Sequence, residues 1–278
     1  MTNSLAGMDK RPLLFLDSGI GGIPYCLDFS LGNPGEPIVY AADRQHFPYG
    51  KRGKDDLVSI VLSLVGRLVP LVDPKLVIVA CNTASLSALG ALRDAFAGLP
   101  FVGTVPAVKP AAAGSGKRKI GVLGTERTVE DEYLAGLILK YGNGCDVTAL
   151  AAPDLVEFVE HRYTGAGAEE RREAVLPWVR SFRRAGVDAL VLGCTHFLFL
   201  RDEFRREAAP DITVYDSVSG ISGRIAALLD EKDLRAPFPP DAEKEPGLLV
   251  ITGGGAPENS WRRWADYLGF RLRLLEEM

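Results

Sequence analysis

Short, unbroken apolar runs recur along the chain: Leu13-Leu14-Phe15-Leu16, Ile38-Val39-Tyr40, Leu76-Val77-Ile78-Val79, Phe101-Val102, Ile120-Gly121-Val122-Leu123 and Leu190-Val191-Leu192. Runs of this length, rich in branched side chains and lacking a polar alternate, predict strands buried on both faces. Between them apolar residues recur at helical spacing, as at Leu57, Ile60, Val61, Leu64, Val65 and Leu68, and again at Leu134, Leu137, Ile138 and Tyr141. Strand followed by helix, repeated, predicts a parallel sheet in an α/β fold. A further strand is predicted at 248–252, and a last helix from Asn259 carries Trp261, Trp264 and Leu268 at a spacing that core packing explains better than ligand stacking.

In parallel sheets ligands bind beyond the carboxyl ends of the strands, so the residues that follow each apolar run carry the chemistry. The first run leads into Asp17-Ser18-Gly19-Ile20-Gly21-Gly22 and the third into Cys81-Asn82-Thr83. In the second half the corresponding ends are Gly124-Thr125 and Cys194-Thr195-His196. Asp17 precedes Cys81 by 64 residues and Thr125 precedes Cys194 by 69, a repeat that predicts two similar domains. The expected division is residues 1–105 with 216–278 in one domain and 106–215 in the other. Each would be a mostly parallel sheet flanked by helices, the two related by pseudo-twofold symmetry with the active site in the cleft between them. The Pro-rich stretch 236–247 reads as a surface connection.

Composition narrows the possible functions. With 47% hydrophobic and 24% charged residues the chain is an ordinary globular one. A net charge of −4, without a run of basic residues, disfavours nucleic acid and anionic membranes as partners. No apolar run approaches the roughly 20 residues needed to span a bilayer. The first eleven residues lack the apolar core of a secretory signal, so the cytoplasm is the expected location. The four cysteines, at 26, 81, 145 and 194, form no CxxC pair, and with only His46, His161 and His196 to add imidazoles, a metal site is disfavoured.

A cysteine that follows a buried strand and opens a helix meets free backbone N–H groups and the positive end of the helix dipole. Cys81 and Cys194 both fit that description. A disulfide between them is the competing explanation, disfavoured in a reducing compartment; Cys26 and Cys145 follow no such pattern and read as packing residues. Two thiols in equivalent places of two similar halves suit a reaction that removes a proton from one face of a carbon and returns one to the other. Racemisation of an amino acid is such a reaction. Its equilibrium constant is one, so a near-symmetric site can run equally well in both directions, one cysteine as thiolate base and the other as thiol acid. Asp17 and His196 are the natural assistants to the two thiols.

These segments, together with Pro48-Tyr49-Gly50, Ala80-Cys81-Asn82-Thr83-Ala84 and Leu192-Gly193-Cys194-Thr195-His196, resemble glutamate racemase in order and spacing, from Leu13 to about Phe270. The resemblance implies a cofactor-independent isomerase, with no metal, that interconverts L- and D-glutamate and supplies D-glutamate for peptidoglycan. It implies Cys81 and Cys194 as the catalytic bases, assisted by Asp17 and His196. Asp17, Ser18, Tyr49, Gly50, Asn82, Thr83, Thr195 and His196 are implied as substrate contacts, with Glu160 as a family carboxylate near the substrate ammonium or His196. A homodimer is the implied assembly.

The chain also departs from the family pattern. Ala42-Asp43 stands where Gly-Asp is usual, His46 where an Arg is usual, Phe197-Leu198-Phe199 in place of Tyr-Pro-Leu, and Ala152-Pro153 in place of Cys-Pro. None of these positions is among the implied contacts, so they bear on rim shape, oligomer contacts and rate. The short N-terminal segment is expected to lack the activator-binding extension of some members. Gly19 to Gly22 lacks the third glycine of a dinucleotide loop. Racemisation of another acidic amino acid such as aspartate, a decarboxylase of the same fold, and a non-catalytic binding protein are the alternatives. A decarboxylase would be expected to keep only one of the thiols.

Overall fold

A computed structural model of the chain describes residues 9–130, 132–237 and 245–278, so the expectations for the N-terminal segment and the Pro-rich connection fall, at 1–8 and 238–244, outside the described residues. In chain order the strands are β1 (Leu13–Asp17), β2 (Ile38–Ala42), β3 (Leu76–Val79), β4 (Phe101–Gly103) and β5 (Lys119–Gly124). They continue as β6 (Asp146–Ala151), β7 (Ala189–Leu192), β8 (Thr213–Tyr215), β9 (Leu248–Ile251) and β10 (Arg271–Leu274). The first helices are α1 (Ile23–Gly32), α2 (Lys54–Val72), α3 (Asn82–Ala95), α4 (Val108–Gly114), α5 (Glu126–Glu130) and α6 (Glu132–Tyr141). After them come α7 (Pro153–His161), α8 (Ala168–Arg184), α9 (Arg201–Ala208), α10 (Val218–Glu231) and α11 (Asn259–Leu268).

The chain divides into two compact units. One runs to Tyr49, takes in Gly53–Thr104 and resumes at Val218, and the other comprises Gly50–Arg52 and Val105–Ser217. The first holds a six-stranded sheet in the order β10-β9-β2-β1-β3-β4, and the second a four-stranded sheet in the order β6-β5-β7-β8. All pairings are parallel.

In the first unit every residue of β1 is buried, as its unbroken apolar sequence requires. Leu14, Leu16, Val77 and Val79 pack on one face of the sheet with Leu57, Val61, Leu64, Val65 and Leu68 of α2 and Ala84, Ala88 and Leu92 of α3. Each buried Leu, Ile or Val in that layer contributes about 1.5–3 kcal/mol relative to exposure. Phe15, with the opposite parity, meets Phe29 of α1 at a ring-centroid distance of 6.4 Å. In the second unit Ile120, Val122, Ala189 and Val191 pack against Val108, Ala111 and Ala112 of α4 and Leu134 of α6. Gly121 lies under the Phe182 ring of α8, where an added Cβ would come within 2.6 Å of it. Trp261 and Trp264 are buried on α11, which ends at Gly269 in the left-handed conformation.

The two sheets share a four-strand plan: β2-β1-β3-β4 in one corresponds to β6-β5-β7-β8 in the other. In both, the order reverses beside the first strand, so the connections diverge and leave a crevice beyond the carboxyl ends of β1 and β3, and likewise of β5 and β7. The equivalence extends past the strands. Ala80 N donates to Leu16 O and Gly193 N to Leu123 O, each at 2.7 Å, and Asp43 N donates to Asp17 O at 2.8 Å as Ala152 N does to Gly124 O at 3.0 Å. These bonds make Cys81 the counterpart of Cys194, Asp17 of Gly124, and Ser18 of Thr125.

Candidate active site

In the first unit Asp17 is the last residue of β1 and is fully buried. Its carboxylate accepts from the Ser18 backbone N–H at 2.5 Å and from the Ser18 hydroxyl at 3.2 Å, which binds the Asp-Ser pair into one polar unit at the strand end. The glycine-rich turn that follows is pinned by Tyr40, whose hydroxyl accepts from Gly22 N at 3.1 Å and donates to Gly19 O at 3.0 Å. A Cβ at Gly22 would come within 2.6 Å of Ala80 Cβ, so glycine here serves the packing of turn against strand end.

Cys81 lies two residues beyond β3 with extended backbone, φ −121° and ψ 121°, as the N-cap of α3. Asn82 and Thr83 form the first turn, and Ser85 N donates to Cys81 O at 2.8 Å. The sulfur stands at a helix N-terminus of 14 residues, where free N–H groups and the dipole present positive potential. Tyr49 is buried and donates its hydroxyl to Asp43 Oδ2 at 2.7 Å. Burial first, then the negative charges of Asp43, Cys81 and Asp17, hold its phenol well above the usual tyrosine range, so the group stays a donor. Asp43, which the sequence reading did not single out for the site, is the hub of that contact.

In the second unit Cys194 repeats the geometry, two residues beyond β7 with φ −127° and ψ 139°. The helix it opens differs in kind. Residues Thr195–Leu200 form a 3₁₀ helix, Phe197 N donating to Cys194 O at 3.1 Å. This tighter turn brings His196 back toward the cysteine, with Nδ1 at 3.7 Å from Cys194 Sγ. The other ring nitrogen, Nε2, is 2.6 Å from Glu160 Oε1 on α7. Both partners are buried. Burial alone would lower the imidazole's pKa, but the hydrogen bonds to Cys194 and Glu160 and their charges outweigh it and raise it well above the ordinary histidine value. The buried ring thus bridges a carboxylate and the sulfur through its two nitrogens.

Thr195 is buried beside Cys194. Gly50 belongs to this unit although its neighbour Tyr49 belongs to the other. A side chain at Gly50 would meet Thr125 Cβ at 3.2 Å, and the Thr125 hydroxyl accepts from Thr128 N at 3.2 Å, capping α5.

The structure therefore gathers the singled-out residues into two groups. Asp17, Ser18, Tyr49, Cys81, Asn82 and Thr83 fall in the first unit, and Gly50, Glu160, Cys194, Thr195 and His196 in the second. The groups are alike in the place of the cysteine and unlike in its neighbours: the position of His196 is held by Thr83 in the first unit, and that of Asp17 by Gly124 in the second. None of the four cysteines, all of them among the described residues, is in a disulfide.

The family model described as Asp/Glu/Hydantoin racemase matches residues 27–220. Glutamate racemase of Sphingopyxis alaskensis is 42% identical over 250 residues, 87% of this chain and 88% of that one. Glutamate racemase of Treponema pallidum is 39% identical over 214 residues, covering 77% of this chain and 80% of its own. The crystal structure of Escherichia coli glutamate racemase, in complex with L-glutamate and an activator, superposes with a TM-score of 0.82 at 31% identity, covering 95% of this chain and 97% of that one. The chain belongs to the Asp/Glu/hydantoin racemase family of isomerases, in its glutamate racemase branch.

Proposed function

We propose that the protein interconverts L- and D-glutamate without a cofactor, using Cys81 and Cys194 as two bases. The observation that carries this reading is the equivalence of the two cysteines, each two residues past the strand that flanks the reversal of strand order, each extended, and each opening a helix. In one direction a thiolate takes the α-proton of glutamate and the opposite thiol delivers a proton to the other face of the planar carbanion. In the reverse direction the roles exchange, so each turnover leaves the two sulfurs in the protonation states the opposite enantiomer requires.

His196, with Glu160 behind it, serves Cys194, and Asp17 serves Cys81. Ser18, Gly50, Asn82, Thr83 and Thr195 supply hydroxyl, amide and backbone donors for the substrate's two carboxylates, and Tyr49, whose one hydroxyl proton goes to Asp43, adds a further contact with the substrate. These donors are neutral groups. In this reading the product D-glutamate serves peptidoglycan, and the enzyme works in the cytoplasm as a homodimer.

Chiral chromatography of L-glutamate, and separately of D-glutamate, incubated with the purified chain tests the assignment. Both should approach equal amounts of the two enantiomers, and Cys81→Ala or Cys194→Ala should each slow the approach about 10²–10⁴-fold. Racemisation of aspartate in place of glutamate would remove the substrate assignment.

A further inference from the structure

Tyr49 is held by a network that reaches from the end of β2 to the end of β9, its neighbour in the sheet of the first unit. Asp43 follows β2 directly, and its carboxylate is almost fully buried. Oδ2 accepts from the Tyr49 hydroxyl at 2.7 Å, and Oδ1 accepts from the Thr252 hydroxyl at 2.6 Å. His46 Nδ1 lies 3.0 and 2.9 Å from the two oxygens, so the imidazole closes the third side.

The Thr252 hydroxyl has no freedom of direction. It accepts from Gln45 N at 3.1 Å, which leaves its one proton to point at Asp43. Its backbone is fixed as well. β9 pairs with β2 so that Ile251 lies opposite Ala42, and Thr252 N donates to Ala42 O at 3.1 Å. Arg44 then clasps the same turn, donating to Thr252 O at 3.1 Å and to Gly253 O at 2.7 Å. A carboxylate gripped by three donors cannot rotate, and the phenol it accepts from is fixed with it.

We propose that Thr252 is a positioning residue: acting through Asp43 it fixes the Tyr49 phenol, and thereby the place of Tyr49 as a substrate contact, without touching substrate itself. This inference rests on the reading of Tyr49 as a substrate contact.

The test compares Thr252→Val, which keeps the shape and removes the hydroxyl, with Thr252→Ser, which keeps the hydroxyl. Thr252→Val should raise KM for glutamate roughly tenfold with kcat within about twofold, the pattern of lost binding common to ground and transition states. Thr252→Ser should restore KM. On a Tyr49→Phe background Thr252→Val should add nothing, because the group it positions is already gone. Melting curves check that the variants are folded, and Thr252→Ala repeats the comparison if valine is not accommodated. A KM unchanged in folded Thr252→Val, a failure of serine to restore it, or an undiminished effect on the Tyr49→Phe background would overturn the positioning role while leaving the racemase reading intact. A wild-type chain that leaves glutamate untouched would defeat that reading, and the inference with it.

Discussion

His196 Nε2 lies 2.6 Å from Glu160 Oε1 while Nδ1 faces Cys194 Sγ at 3.7 Å, so one buried ring joins a carboxylate on α7 to the sulfur beyond β7. The turn after Cys194 is 3₁₀, whereas the turn after Cys81 is α-helical and carries Thr83 at the equivalent position.

That geometry makes His196 a titration marker. Its folded pKa lies above the unfolded value of 6.5, so protonated His196 stabilises the fold fully below that value, and the contribution is lost as pH rises through the raised pKa. NMR titration of the imidazole should find it still protonated where free histidine is neutral. Glu160→Gln should lower that midpoint and flatten the stability profile above pH 6.5. A midpoint at or below the free value would show that burial outweighs the two partners.

Gly22 and Ala80 tie the first strand end to the third. Gly22→Ala places a Cβ 2.6 Å from Ala80 Cβ and 3.0 Å from Ala80 O, one residue before Cys81. Thermal unfolding should show a loss of about 1–3 kcal/mol from this overpacking, together with a fall in kcat as Cys81 shifts. Gly32→Ala, where an added Cβ meets nothing within 4 Å, should leave both near wild type. Equal stability of the two variants would contradict the packing account.

Lys75 and Glu36 form a buried ion pair at 2.7 Å at the opposite end of the same sheet. The ammonium also donates to Asp9 O at 2.7 Å, and Glu36 Oε1 accepts from Ala236 N at 3.0 Å. Lys75→Ala strands a buried carboxylate and should cost about 3–5 kcal/mol in urea unfolding. Replacing both, as Lys75→Met with Glu36→Gln, should recover much of that loss. A single substitution as mild as the double would mean that the carboxylate finds other solvation.

The fold was legible because the apolar runs are unbroken and the helices between them keep their period. β1, β3, β5 and β7 are strands buried on both faces, and such strands announce themselves in a single sequence. Cys81, Cys194, Asp17 and Ser18 stood out by following those runs directly. Thr252 and Asp43 did not, because their meeting depends on β9 pairing with β2, a register between segments 209 residues apart that no local pattern records. The different helices after Cys81 and Cys194 were equally silent, since both begin with a cysteine and a short polar stretch. The near-equal spacings of 64 and 69 pointed to the duplication but not to its register: backbone bonds set Thr125 opposite Ser18.

The two-base mechanism is tested most directly by isotope placement. L-glutamate and D-glutamate are each incubated in D2O for a small fraction of conversion, and both the product and the recovered substrate are analysed for α-deuterium. Two separate thiols, one removing protium and the other delivering solvent deuterium, predict a fully deuterated product and a recovered substrate that keeps its protium, in both directions. Product that retains the substrate's own protium, or deuterium appearing in recovered substrate as fast as in product, would mean that a single base works on both faces, and would contradict the assignment of Cys81 and Cys194 as a pair.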